Sequence, residues 1–152
     1  MFKLIASILI AYSPAFISGG WRMDRTWYSN LIKPSFSPPA WIFGVVWSIL
    51  YFMIGLSLYC FWKADNDFEQ KKLGYVFFLI QLLINAVFTP VFFGLKSILG
   101  GLIICILLAI FVLLTMLEFY KTSPIAAYLL IPYLIWGLFA TFLNFKIFSL
   151  NS

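Results

Sequence analysis

Gln81, Asn85 and Thr89 recur at every fourth position of an otherwise apolar run, and Trp136, Ala140 and Asn144 do so in another. Residues four apart share one face of a helix, so each set forms a stripe. An amide in an apolar surrounding is expensive unless paired, and within a membrane it turns toward a bundle interior or a cavity. Ordinary interhelical hydrogen bonding accounts for such residues equally well. Trp136 has Tyr133 three residues before it, and lipid cannot satisfy its indole N–H, so it is expected to face inward. Trp47 poses the same problem in a third apolar run. Aromatic stripes at helical spacing are commonly packing. Two tryptophans and an amide from three segments are also what a site for a flat aromatic molecule requires: apolar walls with few polar groups to set orientation. Phe88 lies beside the Asn85 face.

The absent residue types narrow the chemistry. The chain has no histidine, so the usual haem ligand, zinc ligand and general base are missing together. Cys60 and Cys105 fall inside apolar runs, where a thiol behaves as a small hydrophobe, and no metal-ligand spacing occurs. No metal site is expected. Hydrophobic residues make up 64% of the 152 residues and charged ones 10%. A soluble domain this small cannot hide that much apolar surface, so the solvent must be lipid. The net charge of +5 is spread in single and paired cations between apolar runs. Nucleic-acid binding needs a clustered basic face, and nucleic acid is excluded as a partner.

These residues must be positioned by membrane-spanning helices. Five apolar stretches, about 2–20, 40–62, 72–93, 97–119 and 124–148, are each long enough to cross a hydrocarbon core of about 30 Å. The expected fold is an all-α bundle of five transmembrane helices forming one domain, 1–152, with a structured loop between the first two. Pro14 is expected to kink the first span. An odd number of spans puts the termini on opposite sides. Lys3, Lys63, Lys71, Lys72 and Lys121 fall on one side, and Arg22, Arg25, Lys33, Lys96 and Lys146 on the other. Five against five gives no orientation by the positive-inside rule.

The loop carries its own signal. Between Thr26 and Trp47 stand Trp27-Tyr28, Leu31, Lys33-Pro34-Ser35-Phe36-Ser37-Pro38-Pro39 and Trp41. Three prolines impose an ordered, non-helical path, and Pro38-Pro39 marks where the next helix begins. Trp27-Tyr28, Leu31, Lys33-Pro34-Ser35, Pro38-Pro39, Gly44 and Trp47 resemble the signature of the translocator protein family, also called tryptophan-rich sensory proteins or peripheral-type benzodiazepine receptors. The resemblance continues through Asn85, Phe92-Phe93-Gly94, Ser123-Pro124, Leu129-Leu130, Pro132-Tyr133, Trp136, Phe139-Ala140 and Leu143-Asn144. It covers nearly all the chain from Thr26 onward.

This resemblance implies a receptor or carrier in a bacterial cell membrane that binds tetrapyrroles such as protoporphyrin IX, or haem, and benzodiazepine-type ligands. No cofactor is required. It also implies a homodimer. It implies that Trp47, Asn85 and Trp136 line the ligand site; helical spacing adds Phe88 and Ala140 as expected ligand-binding residues, and the loop adds Tyr28, in a lid where Lys33 and Arg25 can meet propionates. An enzymatic alternative is light- and oxygen-dependent degradation of bound porphyrin, with Trp47 and Trp136 as the reactive side chains. Departures from the family pattern fall at Phe36, Ala86, Phe88 and Gly100, where many members have other residues. Phe145 and Ser149 replace the Tyr and basic residue of the family's cholesterol motif, which speaks against sterol recognition there. Ser97, Gly101, Cys105 and Ala109 form a small-residue stripe suited to close helix packing, within one copy or between two.

Overall fold

A computed structural model describes residues 1–20 and 24–152. Five segments in it are long and apolar enough to span a membrane: Phe2–Gly19, Ala40–Lys63, Phe68–Gly94, Ile98–Thr122 and Pro124–Asn151. The helices are α1 (Phe2–Gly19), α2 (Arg25–Asn30), α3 (Ala40–Lys63), α4 (Phe68–Thr89), α5 (Ile98–Thr122), α6 (Pro124–Leu129) and α7 (Ile131–Asn151). Among the described residues there is no strand. The expected all-α five-span bundle is therefore the observed one, and the outward faces of these helices meet the lipid bilayer. Arg22, one of the counted cations, lies outside the described residues.

The helix boundaries follow from local chemistry. Asp24 caps α2, its Oδ1 accepting from the Trp27 N–H at 2.9 Å. Pro39 stands at the N-cap of α3, immediately before the helix whose start Pro38-Pro39 marks in the sequence. Ser97 caps α5 by accepting from the Gly100 N–H at 3.0 Å. Ser123 caps α6, and Pro124 takes its first position, where no N–H is needed.

Three boundaries differ from the hydropathy reading. α4 starts at Phe68, four residues before the expected 72, because its first turn, Phe68 to Lys71, is largely polar and so leaves no hydropathy signal although it is helical. Within that turn Lys71 is only 5% exposed. Its Nζ donates to the carbonyls of Trp62 and Ala64 and closes the C-terminal end of α3. At the other end of α4, Pro90 has no N–H for the helical ladder, and Pro90–Gly94 widens into a π turn closed by Leu95 N–H to Pro90 O at 2.9 Å. Finally, the fifth span is two helices rather than one. Pro132 cannot donate to the turn before it, and the chain breaks at Leu130 between α6 and α7. Pro14 is accommodated inside α1, buried against its neighbours.

In the bundle α1 lies between α3 and α4, α5 packs on α4 and α7, and α6 returns to α3. The α1–α3 crossing is close: a Cβ at Gly55 would stand 2.8 Å from the Ile8 Cα, so this position tolerates no side chain. Phe61 and Phe119 stack at 3.9 Å in the core, with Phe78 5.8 Å from Phe119. The small-residue stripe is spent inside the single copy. Gly101, Cys105 and Ala109 are buried, the Phe92 ring covers Gly101, and the Asn144 amide reaches the Cys105 Sγ at 3.5 Å.

Candidate functional site

The polar centre of the bundle is a directed hydrogen-bond chain joining α3, α4 and α7. Tyr51 Oη donates to Asn85 Oδ1 at 3.0 Å; Asn85 Nδ2 donates to Tyr133 Oη at 2.8 Å; Tyr133 Oη donates to Gln81 Oε1 at 2.7 Å. All four residues are buried. The face shared by Gln81, Asn85 and Thr89 thus turns inward as the spacing required, and two tyrosines partner both ends of the Asn85 amide and the Gln81 Oε1, while the buried Gln81 Nε2 has no partner among the described residues. Tyr12 extends the scaffold to α1, donating to the Ser48 carbonyl at 2.7 Å with its ring 5.4 Å from that of Tyr51.

Aromatic walls stand around this centre. The Trp47 ring lies 5.4 Å from Tyr51 and 6.1 Å, edge-on, from Tyr133. Trp136, one turn beyond Tyr133 on α7, packs edge-on against Phe43 at 5.7 Å and lies tilted against Phe139 at 5.2 Å. Both tryptophans are half-buried. Phe88 stacks on Phe92 at 5.3 Å. Ala140 is half-buried on α7, and its carbonyl accepts from Asn144 Nδ2 at 2.8 Å. Trp47 and Asn85 are therefore joined through Tyr51 and Tyr133, while Phe88 belongs with the lid contacts at Phe92. Two concavities lie at the opposite end of the bundle. One, about 320 Å³, is lined by Leu58, Trp62, Tyr75 and Phe78 among others. The second, about 450 Å³, is bordered by Asn66, Gln70, Glu118 and Lys121.

The lid lies over the end of the bundle where α1 finishes and α3 begins. Trp27 and Tyr28 on α2 pack against Phe92, at 5.4 and 6.2 Å, and against Phe93, at 6.4 and 5.7 Å. Phe36 stacks on Phe142 at 5.4 Å and meets Phe139 edge-on at 6.4 Å. Lys33 folds back on the lid itself: its Nζ donates to the carbonyls of Tyr28 (2.8 Å) and Leu31 (3.2 Å) and sits 4.6 Å from the Tyr28 ring centre. Lys33 thus stitches the end of α2, whereas Arg25 is exposed. Burial pushes the Tyr28 phenol above its ordinary pKa, so the ring remains neutral at physiological pH.

Sequence reasoning missed the fastenings of the lid. Lys96 sits in the left-handed region at φ 54, and its ammonium meets the Asp24 carboxylate at 2.9 Å. Asn151, in the last turn of α7, holds the backbone of Ile32. Both pairs are remote in sequence, and nothing in local composition marks them. The missed tyrosine, Tyr51, sits one turn after Trp47, so its spacing was the available signal.

The ion pair has a defined pH response. The hydrogen bond from Lys96, then that from the Trp27 N–H, hold the Asp24 carboxyl below its ordinary value. A lowered carboxyl pKa contributes to closure above the ordinary value of about 3.9, and the contribution disappears as pH falls through the lowered one. Lid order, read as Trp27 environment or amide exchange, should be flat from about pH 5 to 8 and fall only in stronger acid. Both partners are part-exposed, so added salt should weaken the pair as well. Asp24→Asn should abolish the acid limb, and a limb that persists in this variant assigns it elsewhere.

The fold and its centre define an integral membrane protein, a bundle of five membrane-spanning segments with an aromatic, amide–tyrosine centre and a loop fastened over one end. Residues 4–150 match the TspO/MBR family. The chain belongs to that family, as the sequence motifs implied. It is 42% identical to the tryptophan-rich protein TspO of Archaeoglobus fulgidus, over 99% of this chain and 97% of that one. Identity to the Rhodobacter capsulatus protein CrtK is 34%, covering 97% and 92%. Identity to the human translocator protein is 38%, covering 82% and 75%.

Proposed function

We propose that this protein is a membrane receptor or carrier for a flat, largely apolar tetrapyrrole such as protoporphyrin IX or haem, and that benzodiazepine-type ligands use the same site. The observation that carries the reading is the setting of Trp47 beside Tyr51 and Tyr133, whose hydroxyls are oriented by Asn85. An aromatic ligand gains most from rigid aromatic faces with a few fixed polar atoms between them. Half-buried Trp136 and Ala140 extend the wall along α7, Phe88 and Tyr28 belong to the cover through Phe92, and exposed Arg25 is available to a propionate. Relatives named translocator and sensory proteins support transport, sensing or sequestration. The working unit is proposed as a homodimer, with an interface away from the Gly101 stripe, which is already buried within one copy.

The test is fluorescence-quenching titration of the protein in lipid nanodiscs with protoporphyrin IX, a sterol and a benzodiazepine-type ligand. Saturation at a fixed stoichiometry by the porphyrin supports the reading. A linear, non-saturating response, equal to that of empty nanodiscs, sinks it.

A second reading is favoured by the same aromatic contacts. Trp47, with ring neighbours at 5.4 and 6.1 Å, could lend an electron to photoexcited porphyrin; dioxygen adds to the ring so activated and the electron returns to the Trp47 radical cation, so that the net change is porphyrin plus dioxygen to an oxygenated, bleached ring. Trp47→Phe and Trp136→Phe keep apolar contact but oxidise less readily. They should slow aerobic photobleaching of bound porphyrin by about tenfold, roughly 1.4 kcal/mol in barrier, while changing affinity much less. Equal losses in both measurements remove tryptophan from the chemistry and leave it as a wall of the site.

A further inference from the structure

We infer that Asn151 is the positioning residue that holds the lid closed, a latch placed on α7 to control entry to and exit from the site beneath. The inference rests on the ligand-binding reading above for its consequence, and on geometry alone for the latch itself.

The geometry is fully determined. Asn151 Oδ1 accepts from the Ile32 N–H at 3.0 Å, and Asn151 Nδ2 donates to the Ile32 carbonyl at 2.8 Å. The second proton of the same amide goes to the Ile147 carbonyl at 2.7 Å, one turn back on α7. Every hydrogen-bonding position of a side-chain amide that matters for orientation is thereby used, and the group cannot rotate without breaking a contact. The two atoms it reads are the backbone N–H and C=O of one residue, as a neighbouring strand would read them. Ile32 follows the end of α2 and precedes Lys33-Pro34, a stretch whose other backbone bonds are local: Leu31 N–H to Tyr28 O at 3.2 Å and Ser37 N–H to Pro34 O at 3.0 Å. The Asn151 pair is thus the polar tie between this stretch and the bundle among the hydrogen bonds of the described residues.

The position explains why such a tie would act as a gate. The opposite edge of the lid is held by Asp24 on Lys96 and by Trp27 and Tyr28 on Phe92 and Phe93. Between the two fastenings the chain is the end of α2 and Leu31, tied together by the Lys33 ammonium on the Tyr28 and Leu31 carbonyls, and Pro34, Pro38 and Pro39 stiffen the stretch that follows, so the segment moves as a piece rather than fraying locally. Phe36 stacks on Phe142 beside the Asn151 edge, and that contact is apolar and non-directional. Releasing Asn151 therefore frees one edge while the aromatic edge remains as a hinge. An exposed amide–backbone pair is weak enough to open often, which is what a gate requires and a structural clamp does not.

Asn151→Ala removes both bonds, and Asn151→Asp keeps the acceptor for the Ile32 N–H while losing the donor. In the full chain without ligand, amide exchange of the segment 31–37 should rise about tenfold in Asn151→Ala, as expected for the loss of one to two net hydrogen bonds. Asn151→Asp should fall between that variant and the parent, with segments inside α3 to α5 unchanged in both. Stopped-flow binding of protoporphyrin IX should then show on- and off-rates rising together in Asn151→Ala, with the dissociation constant moving less than either rate. A residue with only a folding role would instead raise exchange throughout the bundle and lower affinity without accelerating entry. Unchanged exchange at 31–37 overturns the latch. Raised exchange with unchanged rates overturns its role as a gate. Failure of the parent to bind porphyrin at all refutes the proposed ligand, and the exchange result on the unliganded chain still decides whether Asn151 holds the lid.

Discussion

Replacing Asn85 with leucine should lower the thermal midpoint of the detergent-solubilised protein and disorder the centre of the bundle. Leucine fits the volume and suits both helix and lipid, so the cost falls on hydrogen bonding. Tyr51 loses its acceptor, and Tyr133 loses the donor that reaches it from Asn85, keeping only its own bond to Gln81. Tyr51 is 7% exposed and Tyr133 1%, so neither hydroxyl is free to turn to water. A buried donor left unpaired costs about 1–3 kcal/mol, and interhelical bonds measured within membranes fall toward the lower end. The informative experiment is a double-mutant cycle. Adding Tyr51→Phe to Asn85→Leu removes the orphaned hydroxyl and should restore part of the lost stability, whereas Tyr51→Phe alone should destabilise. Additive losses would show that Tyr51 and Asn85 do not act on each other. The Trp47 emission should shift in the same variants, because its ring is positioned by Tyr51 and Tyr133.

Gly101→Leu should be at least as damaging, by a different route. A side chain at this position enters space held by the Phe92 ring, and Phe92 is 2% exposed and packed against the rings of Trp27, Tyr28, Phe88 and Phe93. Overpacking of this kind costs about 1–3 kcal/mol and sometimes more. The damage should also travel, because Phe92 is the surface on which Trp27, Tyr28 and Phe88 rest. Lid order, porphyrin binding and thermal stability should fall together, and Gly101→Ala should show the same pattern in milder form. A Gly101→Leu protein that runs as a stable, ligand-binding monomer would instead place this face between two copies.

The bundle was legible because the bilayer imposes a simple demand. Each span must satisfy its own backbone and present apolar side chains for about 20 residues, which leaves a mark in any sequence. The inward face of α4 was legible for a related reason: Gln81, Asn85 and Thr89 are expensive toward lipid, so their spacing alone gives their direction. Motifs from Trp27 to Asn144 supplied the family, and with it the residues to examine.

Other features depend on partners far away in the chain. Lys71 reads as a solvated flank, yet it ends the helix before it, since an ammonium within reach of free carbonyls is held there. Small residues from Ser97 to Ala109 show that something packs closely on α5, and only the position of Phe92 shows that the packing is internal. Pro132 signals a disturbance, while the break at Leu130 that lets α6 return to α3 is a property of the assembled bundle. The amino-acid sequence by itself determined the solvent, the number of spans and which faces turn inward, because these follow from transfer energies summed along a helix. The tertiary structure decided which tyrosines pair with Asn85, which carboxylate meets Lys96 and which amide holds Ile32. Each of those is a contact between groups separated by tens of residues, whose energy exists only once the helices have met.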